Sequence, residues 1–260
     1  MRRRREDLTR AQEGAEEVMR IRAAYAERAR SIPNTRYSLF DSAHLSMHQE
    51  LEQAVLGALD RHGMGALQMK RILDIGCGTG QWLREFVQWG ALPGNLYGID
   101  LIGERIEAAR TQCAPGVHLI CGDATAVDQP DGVFDVIIQM TTFTSILDQD
   151  MRRRVAEEVL RLLNSEGIFL WYDYHVNNPR NPHVRAVTRR EIVQLFSGCS
   201  IELRRITLAP PVARAVARRS RHLYMLLAGI PWLRTHYFGV ISKRAAAARG
   251  RSGRDLRYQC

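Results

Sequence analysis

The sequence predicts an α/β fold built on a mostly parallel sheet with helices on both faces. Three observations carry that prediction. From Lys70 onward, short apolar runs alternate with stretches of helical periodicity. The first run leads straight into a turn with glycine at every second position, Gly76, Gly78 and Gly80. An aspartate stands at the end of each of the first three runs, at Asp74, Asp100 and Asp123.

The strand candidates are 70–75, 95–99, 117–121, 133–139 and 167–172. Between them run the helical stripes Trp82/Phe86/Trp89, Ile106/Ala109/Cys113 and Met151/Val155/Val159/Leu162. Strands separated by helices of about 10–15 residues form right-handed parallel units. Upstream, residues 8–30 read as a helix with Val18, Ile21 and Tyr25 on one stripe. A break at Ser31-Ile-Pro-Asn34 separates it from a second helix near 42–62 carrying Leu51, Val55 and Leu59.

Downstream of the fifth run comes a Pro/Asn loop from His175 to Pro182. Thr188-Arg-Arg-Glu191 is a capping box that opens a helix through Phe196. A strand near 201–208, Pro210-Pro211, a basic amphipathic helix over 212–228 and a last strand near 236–242 complete the pattern. The expected organisation is a helical N-terminal cap over 1–67, one α/β domain over 68–243 with a basic helical insertion near 210–230, and a basic tail over 244–260.

Hydrophobic residues make up 45% of the chain and charged residues 25%, ordinary values for a globular protein that buries a large core. The net charge of +9 is uneven. Residues 201–260 hold thirteen Arg and Lys against Glu202 and Asp255, a balance of 13 − 2 = +11, which leaves −2 for the first 200 residues. The five cysteines show no C-x-x-C pair and no metal-ligand spacing, so they read as reduced residues of a cytoplasmic protein. Cys113 and Cys121 fall on expected core elements. The basic N-terminus lacks the apolar stretch of a secretion signal, and Leu223–Leu233 is too short to span a bilayer.

Glycines at alternate positions between a strand and a helix N-terminus bring bare backbone N–H groups against a ligand. Asp74-Ile-Gly-Cys-Gly-Thr-Gly80 resembles motif I of the class I S-adenosylmethionine-dependent methyltransferases. That resemblance implies a Rossmann-like seven-stranded mixed sheet in strand order 3-2-1-4-5-7-6, with S-adenosyl-L-methionine as cofactor. It also implies roles. Asp100 would take the ribose hydroxyls and Asp123 the adenine amine, with the Ala124 backbone against the ring. Asp74 would help place the amino end of the cofactor. Gly76, Cys77, Gly78, Gly80, Leu101 and Gln139 complete the expected cofactor contacts, and Tyr37 would cover the methionine end.

Methyl transfer chiefly requires alignment of acceptor and methyl in a dry pocket, and no metal. A hydroxyl acceptor gains from a base, and the loop after the fifth strand offers His175 first and Asp173 second. His44 and His48 sit one helical turn apart without a third ligand, which argues against a metal site. Gln139-Met-Thr-Thr-Phe143 replaces the Pro-Pro-aromatic motif of enzymes that methylate base amines. A small-molecule acceptor follows, a hydroxyl of a sugar or secondary metabolite, with phosphate or a glycan suiting the arginines of 212–228. That helix also suits peripheral contact with an anionic membrane. Two alternatives stay open: an RNA methyltransferase using the basic C-terminal region, and a non-catalytic binding partner that keeps the fold.

Overall fold

The computed structural model describes residues 2–31, 37–179 and 181–243, with side chains from residue 13 onward. The expected basic tail over 244–260, Cys260 and most of the Ser31–Asn34 break lie outside the described residues. The elements run α1 (Arg2–Ser31), α2 (Ser42–Arg61), β1 (Ile72–Ile75), α3 (Gln81–Gln88), β2 (Leu96–Asp100), α4 (Gly103–Gln112), β3 (His118–Cys121), β4 (Phe134–Met140), α5 (Gln149–Leu162), β5 (Leu163–Tyr174), α6 (Arg189–Leu195), β6 (Ser200–Leu208), α7 (Pro210–Ala217), α8 (Arg221–Ala228) and β7 (Arg234–Ser242).

The seven strands form one sheet in the order β3-β2-β1-β4-β5-β7-β6. β1 to β5 are parallel, and β7 runs antiparallel between β5 and β6. Alternation of side chains along each strand divides the core into two layers. Ile72, Val136, Ile138 and Leu170 meet α2 and α3 through Leu51, Val55, Leu59, Trp82, Leu83 and Phe86. Leu73, Ile75, Ile137, Phe169 and Trp171 meet α5 and α6 through Val155, Val159, Leu162 and Ile192. Each such side chain, fully buried, stabilises the fold by roughly 1.5–3 kcal/mol before entropy is counted. β1, buried along its whole length, is the centre of both layers.

Two expectations need correction. The helix expected over 212–228 is two helices, because Ser220 caps a new start by accepting the Leu223 N–H at 3.2 Å. A serine hydroxyl competes for backbone donors, and the Arg218-Arg219 turn before it exposes both side chains to water. Cys121 is exposed, since β3 is an edge strand of the sheet and none of its residues is fully buried. Among the described residues no helix is long and apolar enough to cross a membrane.

α1 is fastened to the domain at its middle. Glu17 pairs with Arg20 and accepts the Leu147 N–H and, at 3.2 Å, the Asp148 N–H, while Arg20 Nη2 donates to Ser145 O at 2.6 Å. Burial pushes the Glu17 carboxyl up, but Arg20 and the two amides outweigh it and hold the group below its ordinary range. Tyr25 meets Ser145 Oγ at 3.0 Å. The helix thereby lies against the loop that follows β4.

Candidate active site

The carboxyl ends of the parallel strands open into one cleft of ≈ 2350 Å³, where ligands of open α/β sheets bind. Its first wall is the β1–α3 turn. Gly76 has φ +74°, a left-handed conformation that side chains resist, and a Cβ there would lie 2.3 Å from Thr142 Oγ1. Glycine is required because Thr142, whose hydroxyl donates to Ile75 O at 2.8 Å, closes the turn from the β4 side.

Asp100 ties this turn to β2. Its Oδ2 accepts the Gly78 N–H and its Oδ1 the Ile102 N–H, each at 2.9 Å. A carboxylate offers about four lone-pair sites, so both oxygens keep acceptor capacity toward the cleft. Asp74 is 2% exposed, and its Oδ2 is buried without a hydrogen-bond partner. Burial, and then the Asp100 charge beside it, push the Asp74 carboxyl up to about 8. A buried, unpaired acceptor next to a turn of backbone N–H groups is a polar site built for a ligand. Asp123, Ala124 and Leu101 continue the lining past β3 and β2, and Asp123 Oδ1 accepts the Thr125 N–H at 2.8 Å.

The far wall is made by the antiparallel strand. Tyr172 and Tyr174 of β5 and His236 of β7 share one face. The His236 ring stacks on Tyr172 at 4.6 Å and 2° and lies 4.0 Å from Tyr174. Thr235 Oγ1 pairs with His236 Nδ1 at 3.1 Å. Nε2 has no partner among the described residues, and His236 lines the cleft. Burial, with the His175 charge adding to it, pushes the His236 imidazole down to about 3, so the ring is neutral at working pH. Tyr172 OH meets Thr207 Oγ1 at 3.0 Å, and Thr207, at φ 65°, turns its N–H out of the ladder to Glu50 Oε2 at 3.0 Å. Arg214 of α7 and Tyr37 complete the rim, with Arg28 hydrogen-bonded to the Tyr37 hydroxyl.

Several expected site residues stand elsewhere. His175 and Asp173 do not line the cleft, because a period of two sends them to the face opposite Tyr174 and His236. His175 lies against Tyr237, and its Nε2 is paired with Arg234 O at 3.0 Å. Asp173 is fully buried and accepts the Thr144 and Tyr174 N–H groups, each at 3.0 Å, so it fixes the loop after β4. Gln139 is likewise spent inside: it accepts the Thr142 N–H at 2.9 Å and donates to Tyr172 O at 3.3 Å. Gly80 lies behind the turn, where a Cβ would meet Cys113 Sγ at 2.3 Å, so it serves close packing of α3 on α4. Asp74, Gly76, Cys77, Gly78, Asp100, Leu101, Asp123, Ala124 and Tyr37 are all brought to the cleft. His48 pairs with Glu85 at 3.1 Å, and burial, with the His48 charge adding to it, lowers the pKa of His44.

The sequence reading missed His236, Tyr174 and the Thr141-Thr142 turn. The missing signal was strand register: a histidine at the start of the last strand becomes a site residue only when paired opposite Tyr174.

Residues 72–167 match the family described as "Methyltransferase domain". The strand order, with one antiparallel strand between the fifth and sixth, is that of class I methyltransferases. Over residues 72–167 this chain resembles a methyltransferase domain, and its sheet has the class I strand order. The chain is similar to a tRNA N(3)-cytidine methyltransferase of Gallus gallus, 29% identical over 118 residues that cover 42% of this chain and 32% of the relative. It is also similar to a sterol 24-C-methyltransferase of Aspergillus fumigatus, 27% identical over 48% of this chain and 34% of the relative. A methyltransferase of Penicillium brasilianum is 31% identical over 38% of this chain and 39% of the relative. The chain thus spans about a third of the length of these curated relatives. Among solved structures, an S-adenosylmethionine-dependent methyltransferase from Mesorhizobium loti aligns with a TM-score of 0.54 at 18% identity, covering 72% of this chain and 97% of that one. A Pyrococcus horikoshii protein gives 0.54 at 15%, covering 84% and 99%. At these identities the likeness is one of fold.

Proposed function

We infer that the protein transfers a methyl group from S-adenosyl-L-methionine to a hydroxyl of a small molecule. The observation that carries the cofactor is the buried, unpartnered Asp74 Oδ2 beside the left-handed Gly76 turn, with Asp100 on the next strand. The residues fit the group: Asp100 for the ribose, Asp123 and Ala124 for the adenine, and Asp74 with the turn for the cationic amino-acid end. S-adenosyl-L-methionine supplies a methyl already made electrophilic by its sulfonium.

The acceptor reading rests on the second wall. Tyr172 and Tyr174 flank a neutral imidazole that lines the cleft and whose Nε2 has no partner among the described residues. Nε2 is suited to accept a hydrogen bond from an acceptor hydroxyl, which turns a lone pair of that oxygen toward the methyl. The aromatic walls exclude water from that line. α1, held over the cleft by Glu17 and Tyr25, closes the cofactor side. The family match ends at residue 167, before any of these acceptor walls, so the acceptors of the relatives are not carried over with it.

Calorimetry with S-adenosylhomocysteine tests the cofactor site, with Asp100→Ala as the comparison and circular dichroism as the check on folding. The expected result is binding by the wild type and a loss of at least about tenfold in the variant, the size of a lost charge-assisted pair. Equal affinities would sink the assignment. Labelled methyl donor offered with a metabolite extract and, separately, with total RNA decides the acceptor. Incorporation into RNA alone would replace the small-molecule reading with the one that the tRNA-modifying relatives suggest.

A further inference from the structure

Between β6 and β7 the chain leaves the sheet for α7, α8 and a 3-10 turn at Pro231–Leu233. Residues 203–243 contain seven arginines and one lysine and no aspartate or glutamate. The inner face of α8 is accounted for: Tyr224 is buried, and Leu227 and Ala228 pack with it against Leu208 and Ala213. The outer face is not. Met225 is 60% exposed, Leu226 69% and, in the turn that follows, Trp232 82%. Arg219, just before α8, and Arg221, its first residue, are exposed as well.

Large exposed apolar side chains in a stretch whose own charged residues are all cationic match one kind of surface. We propose that the outer face of α8 and the Pro231–Leu233 turn form a docking site for an anionic lipid bilayer. The aliphatic side chains and the indole enter the headgroup–acyl boundary while the arginines stay with the lipid phosphates. Trp232 is suited to that boundary, since its ring is apolar with one polar edge. Nucleic acid would satisfy the arginines and leave Met225 and Leu226 in water, so charge alone does not account for the patch.

Docking has a consequence for the cleft. α7 is continuous with this hairpin, and Pro210, Pro211 and Arg214 at its root line the cleft, as do Thr235 and His236 just after the turn. A bilayer held by α8 therefore lies beside the acceptor side of the pocket. The surface stands whether or not the acceptor reading does, because none of its residues takes part in the cofactor site.

The test uses the full chain, sedimented with vesicles of phosphatidylcholine alone and of phosphatidylcholine mixed with phosphatidylglycerol. Binding to the mixed vesicles, a blue shift of tryptophan emission and weak binding to the neutral vesicles are expected. The triple variant Met225→Ser, Leu226→Ser, Trp232→Ser changes only exposed side chains and is expected to lose at least about tenfold in partitioning, the order of one buried apolar side chain. Arg219→Ser with Arg221→Ser is expected to weaken binding and flatten its salt dependence. Mixed-vesicle binding that the triple variant leaves unchanged, or no vesicle binding at all, overturns the proposal. Tighter binding to a mixed-sequence RNA than to vesicles, with the serine substitutions silent, also overturns it and assigns the patch to nucleic acid. Affinity for S-adenosylhomocysteine, measured alongside, is expected to be the same in all variants.

Discussion

Asp74 and Asp100 stand at the ends of adjacent parallel strands, and the charge of Asp100 adds to burial in pushing the Asp74 carboxyl up to about 8. In the free protein Asp74 is therefore protonated at neutral pH. An ammonium group brought beside it lowers its pKa, so binding releases a proton. Affinity for S-adenosylhomocysteine is expected to rise as pH increases toward about 8, by at most about tenfold per pH unit. Calorimetry in buffers of different ionisation enthalpy measures the proton directly. Asp74→Asn should flatten the profile, and a wild-type profile already flat would refute the assignment.

The same group has a stability signature of opposite sense. An acid whose pKa is raised by folding holds its proton more tightly in the folded state, so its contribution declines as pH climbs from about 4 to about 8. Denaturant midpoints of Asp74→Asn are expected to fall less than those of wild type across that window.

His236 and His175 make a matched pair, one on each face of the sheet. His236→Ala is expected to lower kcat with an acceptor by about 10²-fold, in the range of positioning effects, and to leave S-adenosylhomocysteine affinity intact. His175→Ala should change neither. The reverse ranking in a methylation assay would return the role to the β5 loop.

Loss of Glu17 should loosen α1 without unfolding the domain. Glu17→Ala removes acceptors for Leu147 and Asp148 and the partner of Arg20. Cofactor affinity is expected to fall by about tenfold, the lower end of what one hydrogen bond to a charged group is worth. Limited proteolysis should show earlier cleavage in residues 13–31. Unchanged cleavage and unchanged affinity would remove α1 from the site.

Behind the turn, Gly80→Ala drives a methyl to 2.3 Å from Cys113 Sγ at φ +76°. The expected cost is about 2–4 kcal/mol, from overpacking plus left-handed strain. Adding Cys113→Ala should recover the overpacking share and leave about 1 kcal/mol of strain. Thermal unfolding of the four proteins in the cycle reads the two parts separately.

The first half of the chain was legible because its signals are local. The G-x-G-x-G turn and the strand-end acids announce themselves within a few residues, and the structure brings Asp74, Asp100 and Asp123 to one rim. The strand order followed from resemblance to a known family rather than from pattern. What the sequence hid depends on pairing between distant segments. Tyr174 and His236 are 62 positions apart in numbering and meet only through antiparallel register, while His175, one residue away, faces the opposite layer. Gln139 looked like a contact from its place at a strand end. Its amide is instead consumed in bracing the turn at Thr142. The single amphipathic helix over 212–228 failed for a smaller reason, a serine whose hydroxyl starts a second helix at Arg221.

The late return of β7 between β5 and β6 divides the labour of the pocket along the chain. Everything that would grip the nucleoside is encoded before residue 125, and the opposing aromatic wall waits for residues 172–236. The residues proposed to meet the acceptor can therefore vary in the last third of the chain while those proposed to hold the donor stay fixed. A chain cut short of β7 would leave Tyr172 and Tyr174 without the His236 ring packed against them.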